Sequence, residues 1–208
     1  CWLVTASSDH TVRMWSSGSF GECCLVLRGH TGSVSSVCFS PEGARIASGS
    51  SDCSTVLWDA TSGAKLSVHS SSKHAVNCVA FSPDASQLAT GCQDGQVRIY
   101  SLEANCVITL HGHSKEVHSL AYSQNGPYLA TASADGSVAL WDPVRRERLA
   151  SLLGHSDAVY AVVFSIDGEQ ILTGGADGVA SLWDVASRQC RKTLNGHGGA
   201  ITCVAFAP

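Results

Sequence analysis

Hydrophobic and polar positions along the chain fall into short apolar runs separated by clusters of Gly, Pro, Asn, Asp and Ser. In the last complete stretch these runs cover residues 159–164, 170–174, 179–183 and 189–194. An Asp-Gly pair, a strong hairpin signal, stands between the second and third runs. No apolar period of 3.6 residues persists long enough to indicate a helix. The pattern therefore predicts an all-β chain of short antiparallel strands grouped in fours.

The four-strand pattern recurs with a period of about 42 residues. Each unit contains an Asp, with an aromatic residue six positions later and a Ser or Thr four positions earlier. Three units also carry Gly-His 22 positions before the Asp, and a fourth Gly-His stands near the C-terminus. One four-stranded sheet of this size cannot bury both of its faces, so the units are expected to stack radially.

Three units hold every element of the pattern, and in each the third strand ends in Trp-Asp. The complete sets are His30, Ser48, Asp52 and Trp58; His113, Thr131, Asp135 and Trp141; and His155, Thr173, Asp177 and Trp183. This motif and its period resemble the WD-repeat family of β-propellers. The resemblance covers the whole chain. It implies four-stranded antiparallel blades, each held by a hydrogen-bonded tetrad of these four residues.

A histidine, a hydroxyl and a carboxylate could also form a hydrolase triad. A catalytic site is needed once, whereas this set recurs in full three times. The four groups can satisfy one another's hydrogen bonds inside a core. We therefore interpret the set as structural, tying the loop before the first strand to its blade, and we predict no catalytic residue.

The unit at 71–111 departs from the motif at two of the four positions. It keeps Thr90 and Asp94, but Tyr100 replaces the Trp. Ser71 and Ser72 stand where Gly-His is expected, and His74 lies two residues out of register. The tetrad of this unit is therefore expected to be incomplete.

The two ends of the chain decide how many blades it contains. The predicted WD-repeat region spans 1–208, with units at 1–28 (partial), 29–70, 71–111, 112–153, 154–195 and 196–208 (partial). These boundaries give four complete blades, three strands of another and one isolated first strand. Either five blades close into a ring, or the chain is an arc of a larger propeller. The arc is favoured because the chain begins on Cys rather than Met and seven blades are usual in the family. In a ring, His197 would complete a tetrad with Thr5, Asp9 and Trp15.

Composition excludes several kinds of partner. The 208 residues include 13 Lys and Arg against 17 Asp and Glu, and a net charge of −4 gives no reason to expect nucleic acid. The apolar runs are too short for membrane insertion. Ten cysteines occur without a Cys-x-x-Cys pair, and Cys38, Cys78 and Cys203 lie in apolar runs, as buried thiols would. This usage indicates a reducing, intracellular location, cytoplasmic or nuclear.

Cofactor and metal signals are also missing from the sequence. His111, His113 and His118 form the densest group of ligand types, but Cys or carboxylate ligands at zinc spacing are absent, and His113 belongs to a tetrad. No Gly-rich loop matches a phosphate cradle. We predict no metal, no cofactor, no small-molecule substrate and no enzymatic activity. The basic run at 145–148 is interpreted as a solvated loop, with contact to an acidic partner as the alternative.

Because the sequence contains no catalytic or cofactor signal, we expect the function of the chain to depend on its surface loops. The resemblance implies a scaffold that docks partner proteins or peptides on the face carrying the loops before the first strands. By position, the contacts lie three and five residues after the His and one before the Asp. Most of these positions hold small residues; the larger ones, our candidates for partner binding, are Tyr160, His118, Glu116, Asn77 and Gln93. The alternative is that His118 and Tyr160 only pack at a strand edge.

Three classes of function fit the sequence unequally. The leading one is a non-catalytic protein–protein interaction scaffold. The second is a substrate-recognition propeller of a ubiquitin ligase whose catalytic part lies outside this chain. The adaptor-docking form of the motif has Arg two residues after Trp-Asp, where this chain has Thr61, Val144 and Ala186. The third, a catalytic propeller, would need an unrepeated polar cluster at the central channel, and the sequence indicates none.

Overall fold

A computed structural model describes residues 2–16, 18, 21–70, 73–104 and 106–207. These residues form nineteen strands and no helix, which confirms the all-β prediction. The three strands of blade 1 are β1 (Trp2–Ala6), β2 (Thr11–Ser16) and β3 (Cys23–Arg28). Blade 2 contains β4 (Val34–Phe39), β5 (Arg45–Ser50), β6 (Thr55–Asp59) and β7 (Lys65–His69).

The other three blades repeat this four-stranded plan. Blade 3 contains β8 (Val76–Phe81), β9 (Gln87–Cys92), β10 (Val97–Ser101) and β11 (Cys106–Leu110). Blade 4 contains β12 (Val117–Tyr122), β13 (Leu129–Ser133), β14 (Ser137–Asp142) and β15 (Glu147–Leu153). Blade 5 contains β16 (Val159–Phe164), β17 (Gln170–Gly175), β18 (Ala180–Asp184) and β19 (Cys190–Leu194). Every sheet follows chain order with antiparallel neighbours, as the hairpin signals predict.

Apolar side chains of adjacent blades pack against each other and form the core. One cluster joins Val97 and Ile99 of blade 3 to Val117, Leu129 and Trp141 of blade 4. Side chains of β5, β9 and β13 are buried nearly throughout because each lies between two strands and two neighbouring blades. Each fully buried aliphatic side chain contributes about 1.5 to 3 kcal/mol. Stacking of blades, rather than any single sheet, therefore stabilises the fold.

Small residues on the second strand allow neighbouring blades to approach closely. A Cβ atom at Gly49 would lie 2.6 Å from Cγ1 of Val76 in the next blade, so a larger residue could not fit there. Hydrogen bonds reinforce the same junction, where the Val79 N–H donates to Ser36 Oγ at 3.1 Å. The blades are thus joined both by apolar packing and by hydrogen bonding between backbone and side chain.

Residues 201–207 lie against blade 5, where the first strand of a further blade would lie. A Cβ at Gly174 would be 2.5 Å from Ile201 Cγ2, and the Ile201 N–H donates to Gly175 O at 2.9 Å. No described strand pairs with the segment, so it occupies the place of the predicted isolated first strand without entering a sheet. Cys203, predicted to be buried, is exposed for the same reason.

Within the described residues β1 pairs only with β2, so the five blades form an open arc and not a ring. The described cysteines are thiols and not disulfides, and Cys78 and Cys92 are buried. Burial raises the pKa of the partly buried Cys38 thiol to about 12. None of the described residues belongs to a helix long and apolar enough to span a membrane.

Candidate functional site

Blades 2, 4 and 5 each contain a hydrogen-bonded chain of Trp, hydroxyl, His and Asp. In blade 4, Trp141 Nε1 lies 2.8 Å from Thr131 Oγ1, which lies 2.8 Å from His113 Nε2, and His113 Nδ1 lies 3.1 Å from Asp135 Oδ2. The corresponding distances are 2.8, 2.7 and 2.9 Å in blade 2. They are 3.0, 2.8 and 2.9 Å in blade 5.

The chemistry of these groups fixes the direction of the chain. The Trp141 indole can only donate, so the Thr131 oxygen accepts from it and turns its own proton toward His113 Nε2. A neutral imidazole that accepts at Nε2 carries its proton on Nδ1 and donates it to Asp135. Every member is then satisfied, as a buried polar network requires. Such a network holds the loop before the first strand in place.

Two further contacts to the carboxylate were missed in the sequence. The Ser137 hydroxyl donates to Asp135 Oδ1 at 2.6 Å, and the Ser114 N–H donates to Oδ2 at 2.9 Å. Ser54 makes the same bond to Asp52 in blade 2, also at 2.6 Å. A hydroxyl two residues after the Asp is a signal that the sequence does contain. In blade 5 this position is Val179, which contributes only its N–H, at 3.1 Å.

These contacts set the protonation states of the network. Burial acts to raise the pKa of Asp135, but the hydrogen bonds from Ser137 and Ser114 outweigh it and hold this pKa at about 2. At Asp52 the hydrogen bonds likewise outweigh burial and place the pKa well below its usual range. Burial lowers the pKa of His113, although the adjacent carboxylate opposes this shift. In blade 4 the network is therefore built from an anionic Asp135 and a neutral His113.

Acid should weaken this network. A carboxyl with a depressed pKa contributes stability above its unfolded pKa of about 4, and this is lost as the pH falls toward 2. A histidine with a lowered pKa also disfavours the folded state as the pH falls below about 6.5. Asp135 alone should account for about 2 kcal/mol between pH 5 and pH 2, measured by urea unfolding. Asp135→Asn is the matched control: it should be less stable at pH 7 and should show a smaller loss in acid. An unchanged pH dependence in this variant would contradict the assignment.

Blade 3 satisfies its aspartate by other means. Arg98 Nη2 lies 2.7 Å from Asp94 Oδ2, and the side chains are only 8% and 13% exposed. Thr90 donates to the Arg98 carbonyl at 3.4 Å, and the Tyr100 ring packs against His69 at 4.6 Å between centroids. Blade 3 therefore has no complete tetrad, and a buried ion pair supports its aspartate instead. The His74 charge also lowers the pKa of Asp94, whereas Ser71 and Ser72, at the expected Gly-His position, lie outside the described residues.

Blade 1 contains only part of the motif. Trp15 Nε1 donates to Thr5 Oγ1 at 2.9 Å, while Asp9 accepts from the Thr11 N–H and hydroxyl at 2.9 and 2.6 Å. No hydrogen bond of the described residues joins this set to His197. The His197 carbonyl instead approaches Gly178, where a Cβ would lie 2.9 Å from it. The structure therefore does not assemble the fifth tetrad that a closed ring would contain.

Cations of the outer strands cover two of the tetrad tryptophans. Arg148 lies 5.6 Å from the Trp141 ring centroid and donates to Gly112 O at 2.8 Å. Lys65 covers Trp58 in the same way, also at 5.6 Å. A Cβ at Gly112 would lie 2.8 Å from the Trp141 ring, which explains the glycine of Gly-His. Arg148 thus lies on β15 beside Trp141, whereas Arg145 and Arg146 of the basic run lie in the exposed turn before that strand.

The candidate binding positions five residues after the His lie at β-bulges. The register of first and second strands shifts at Ser35, Asn77, His118 and Tyr160, each of which is the extra residue of its first strand. A bulge redirects a side chain out of the regular alternation. Asn77 Nδ2 donates to Val117 O at 3.1 Å, and the His118 and Tyr160 rings lie 5.1 Å apart at 59°. The bulged side chains thus reach toward the neighbouring blade.

The candidate positions three residues after the His and one residue before the Asp lie on the same face. The Ala134 N–H donates to Glu116 O and the Gln93 N–H to Ala75 O, both at 2.9 Å, which joins the position before each Asp to the loop after each His. A Cβ at Gly95 would lie 2.7 Å from Lys115 O, so the turn containing Gln93 packs on the loop leading to Glu116. We call Asn77, Gln93, Glu116, His118 and Tyr160 the loop patch. Gln93 is exposed, and the other four are partly buried.

No group of three or more His, Cys, Asp or Glu side chains among the described residues could hold a metal ion. His113 is engaged on both ring nitrogens by Asp135 and Thr131. His118 contacts Tyr160. Two of the three histidines near residue 113 are thus engaged by protein side chains.

The repeat, the blades and the tetrads together define a WD-repeat β-propeller. The family profile described as "WD domain, G-beta repeat" matches residues 1–16, 21–59, 61–101, 104–142, 146–184 and 188–208. The chain therefore belongs to the WD-repeat family.

Several WD-repeat proteins are similar to parts of the chain. WD repeat, SAM and U-box domain-containing protein 1 of Gallus gallus is 43% identical over 67 residues, covering 32% of this chain and 14% of that protein. The guanine nucleotide-binding protein subunit beta of Arabidopsis thaliana is 34% identical over 68 residues, 33% of this chain and 18% of that protein. Small ribosomal subunit protein RACK1y of Oryza sativa subsp. japonica is 41% identical over 66 residues, 31% of this chain and 19% of that protein. Each alignment thus spans less than a fifth of the relative's length.

Proposed function

We propose that this chain is a non-catalytic interaction scaffold whose loop patch binds a segment of a partner protein. The observation that carries the proposal is the pair of rings, His118 and Tyr160, placed on bulges of adjacent blades 5.1 Å apart. Both residues are partly exposed, on the face where the loops before the first strands converge. Aromatic side chains in such positions provide most of the binding energy of many interfaces.

The surroundings of the rings favour a polypeptide ligand. Glu116 offers a carboxylate, whereas Asn77 and Gln93 offer amide donors and acceptors that suit the backbone of an extended peptide. The tetrads beneath hold the loops in place, so little conformational entropy is lost when a partner binds. These features support binding and positioning without chemistry.

Fewer observations support the alternative that this chain recognises substrates for a ubiquitin ligase. One relative has a U-box domain in its name, but the aligned stretch covers 14% of that protein. The positions at which the adaptor-docking motif has Arg are Thr61, Val144 and Ala186 in this chain. In a ligase role the captured partner would be a substrate. Its ubiquitylation would then increase when the wild-type chain is present and would not increase with a variant altered in the loop patch.

The test is partner capture by a Tyr160→Ala, His118→Ala double variant. Partners that the wild-type chain retains, identified by mass spectrometry, should bind the double variant about tenfold or more weakly, because truncation of an aromatic hot spot costs about 2 kcal/mol. Val144→Ala is the matched control, since Val144 is 73% exposed but lies outside the loop patch. Equal capture by all three proteins would refute the proposal and leave the ring pair with a packing role only.

A further inference from the structure

The outer strand of each blade has one edge that no described strand pairs with: β3, β7, β11, β15 and β19. Unpaired strand edges recruit other strands, and native proteins protect them with charged side chains and bulges. Four of the five outer strands have both protections. Their register shifts opposite Trp15, Trp58, Trp141 and Trp183, and each carries at least one Lys or Arg.

Strand β11 has neither protection. It pairs with β10 in unbroken register from Cys106 to Leu110. Its sequence, Cys-Val-Ile-Thr-Leu, contains no charge and no proline and is rich in β-branched residues. In the other blades the bulge lies opposite a Trp. Blade 3 has Tyr100 at this position, and the register of its outer strand does not shift there.

The neighbouring surface extends this edge as an apolar band. Leu66, Val68 and Val107 are 51%, 53% and 47% exposed. Val68 and Val107 line a groove of about 240 Å³ between β7 and β11, together with His69 and Tyr100. Lys65, the basic residue of β7, lies over Trp58, at the opposite end of that strand from His69. The band therefore offers apolar contacts and unpaired backbone groups, without a charge that would select a charged partner.

We propose that β11 is a self-association edge, which pairs antiparallel with β11 of a second copy of this chain about a two-fold axis. An uncharged, flat edge is complementary to itself, and an isologous interface needs such a surface. Pairing would join two blades into one continuous eight-stranded sheet and cover Val107 of both copies. Blade 3, which contains β11, lies between blades 2 and 4. The edge of β11 therefore does not depend on what pairs with β1 at the end of the arc.

The test is the mass of the full chain against concentration, by analytical ultracentrifugation. The wild-type mass should rise from 21.6 kDa toward twice that value. Val107→Lys should weaken the association about tenfold or more, since it places like charges across the two-fold axis. Leu153→Lys is the matched control, at a 71% exposed position on the charged and bulged β15, and should have no effect.

A third variant separates this edge from the uncharged, exposed edge of β1. Leu3 on β1 is 57% exposed, so Leu3→Lys would disrupt association through β1. Association that survives Leu3→Lys and is lost in Val107→Lys supports the proposal. A monomer at all concentrations up to about 200 µM would overturn it, because strand pairing of this size should be detectable there. Association unaffected by Val107→Lys would also overturn it and would leave the band to another partner.

Discussion

Replacement of Trp141 by alanine is expected to lower the free energy of unfolding by about 3 to 5 kcal/mol. The indole is 2% exposed and packs in the cluster between blades 3 and 4. Its removal also leaves Thr131 without a donor and Arg148 without the ring it covers. The measurement is equilibrium unfolding in urea, monitored by circular dichroism.

Two variants show whether the tetrad or the buried volume matters. Trp15→Ala is the matched control, because Trp15 donates to a Thr in the same way but lies at the open end of the arc and is partly exposed. It should cost only about 1 to 2 kcal/mol, since less area is lost from the core. Trp141→Phe keeps most of the ring and removes the N–H, at about 1 to 2 kcal/mol. Equal losses in Trp141→Ala and Trp15→Ala would show that neither the deeper burial of Trp141 nor its complete tetrad adds stability.

Replacement of Arg98 by methionine should destabilise the chain by about 2 to 4 kcal/mol, because a buried carboxylate is left without its cation. Asp94 is 13% exposed and accepts from both Nη atoms of Arg98. Asp94→Asn in addition should restore part of the loss, since no charge then remains unpaired. Urea unfolding of both variants measures this recovery.

Blade 1 provides the matched control for this pair. Arg13 stands four residues after Asp9, as Arg98 stands four residues after Asp94. The Arg13–Asp9 pair is 3.6 Å long, however, and its side chains are 37% and 49% exposed. Arg13→Met should therefore change stability by less than about 1 kcal/mol. Similar losses in the two variants would contradict a special role for the buried pair of blade 3.

The repeat period was enough to predict the strands, their grouping and the family. Its success has a physical basis, because Gly-His, Ser or Thr, Asp and Trp each fill the same place in blades 2, 4 and 5. Arg98 could not be predicted in the same way. Arg13 has the same spacing from its Asp and yet is half exposed, so only the packing of the neighbouring blade distinguishes the two.

The sequence also did not predict the bulges at Ser35, Asn77, His118 and Tyr160. A single inserted residue interrupts the alternation of a six-residue strand, which is too short for the interruption to be recognised. The exposure of Cys203 was missed for another reason. Its apolar run resembles those of Cys38 and Cys78, but burial depends on a neighbouring strand that no residue of this stretch provides.

The glycine junction has a consequence for how such chains change length in evolution. Gly49 receives Val76 of the next blade, and Gly174 receives Ile201 in the same manner. Each unit thus presents one shape to the unit before it and the matching shape to the unit after it. Duplication or loss of one whole period would rejoin compatible surfaces, whereas insertion of part of a period would place a side chain against a glycine that leaves no space for it.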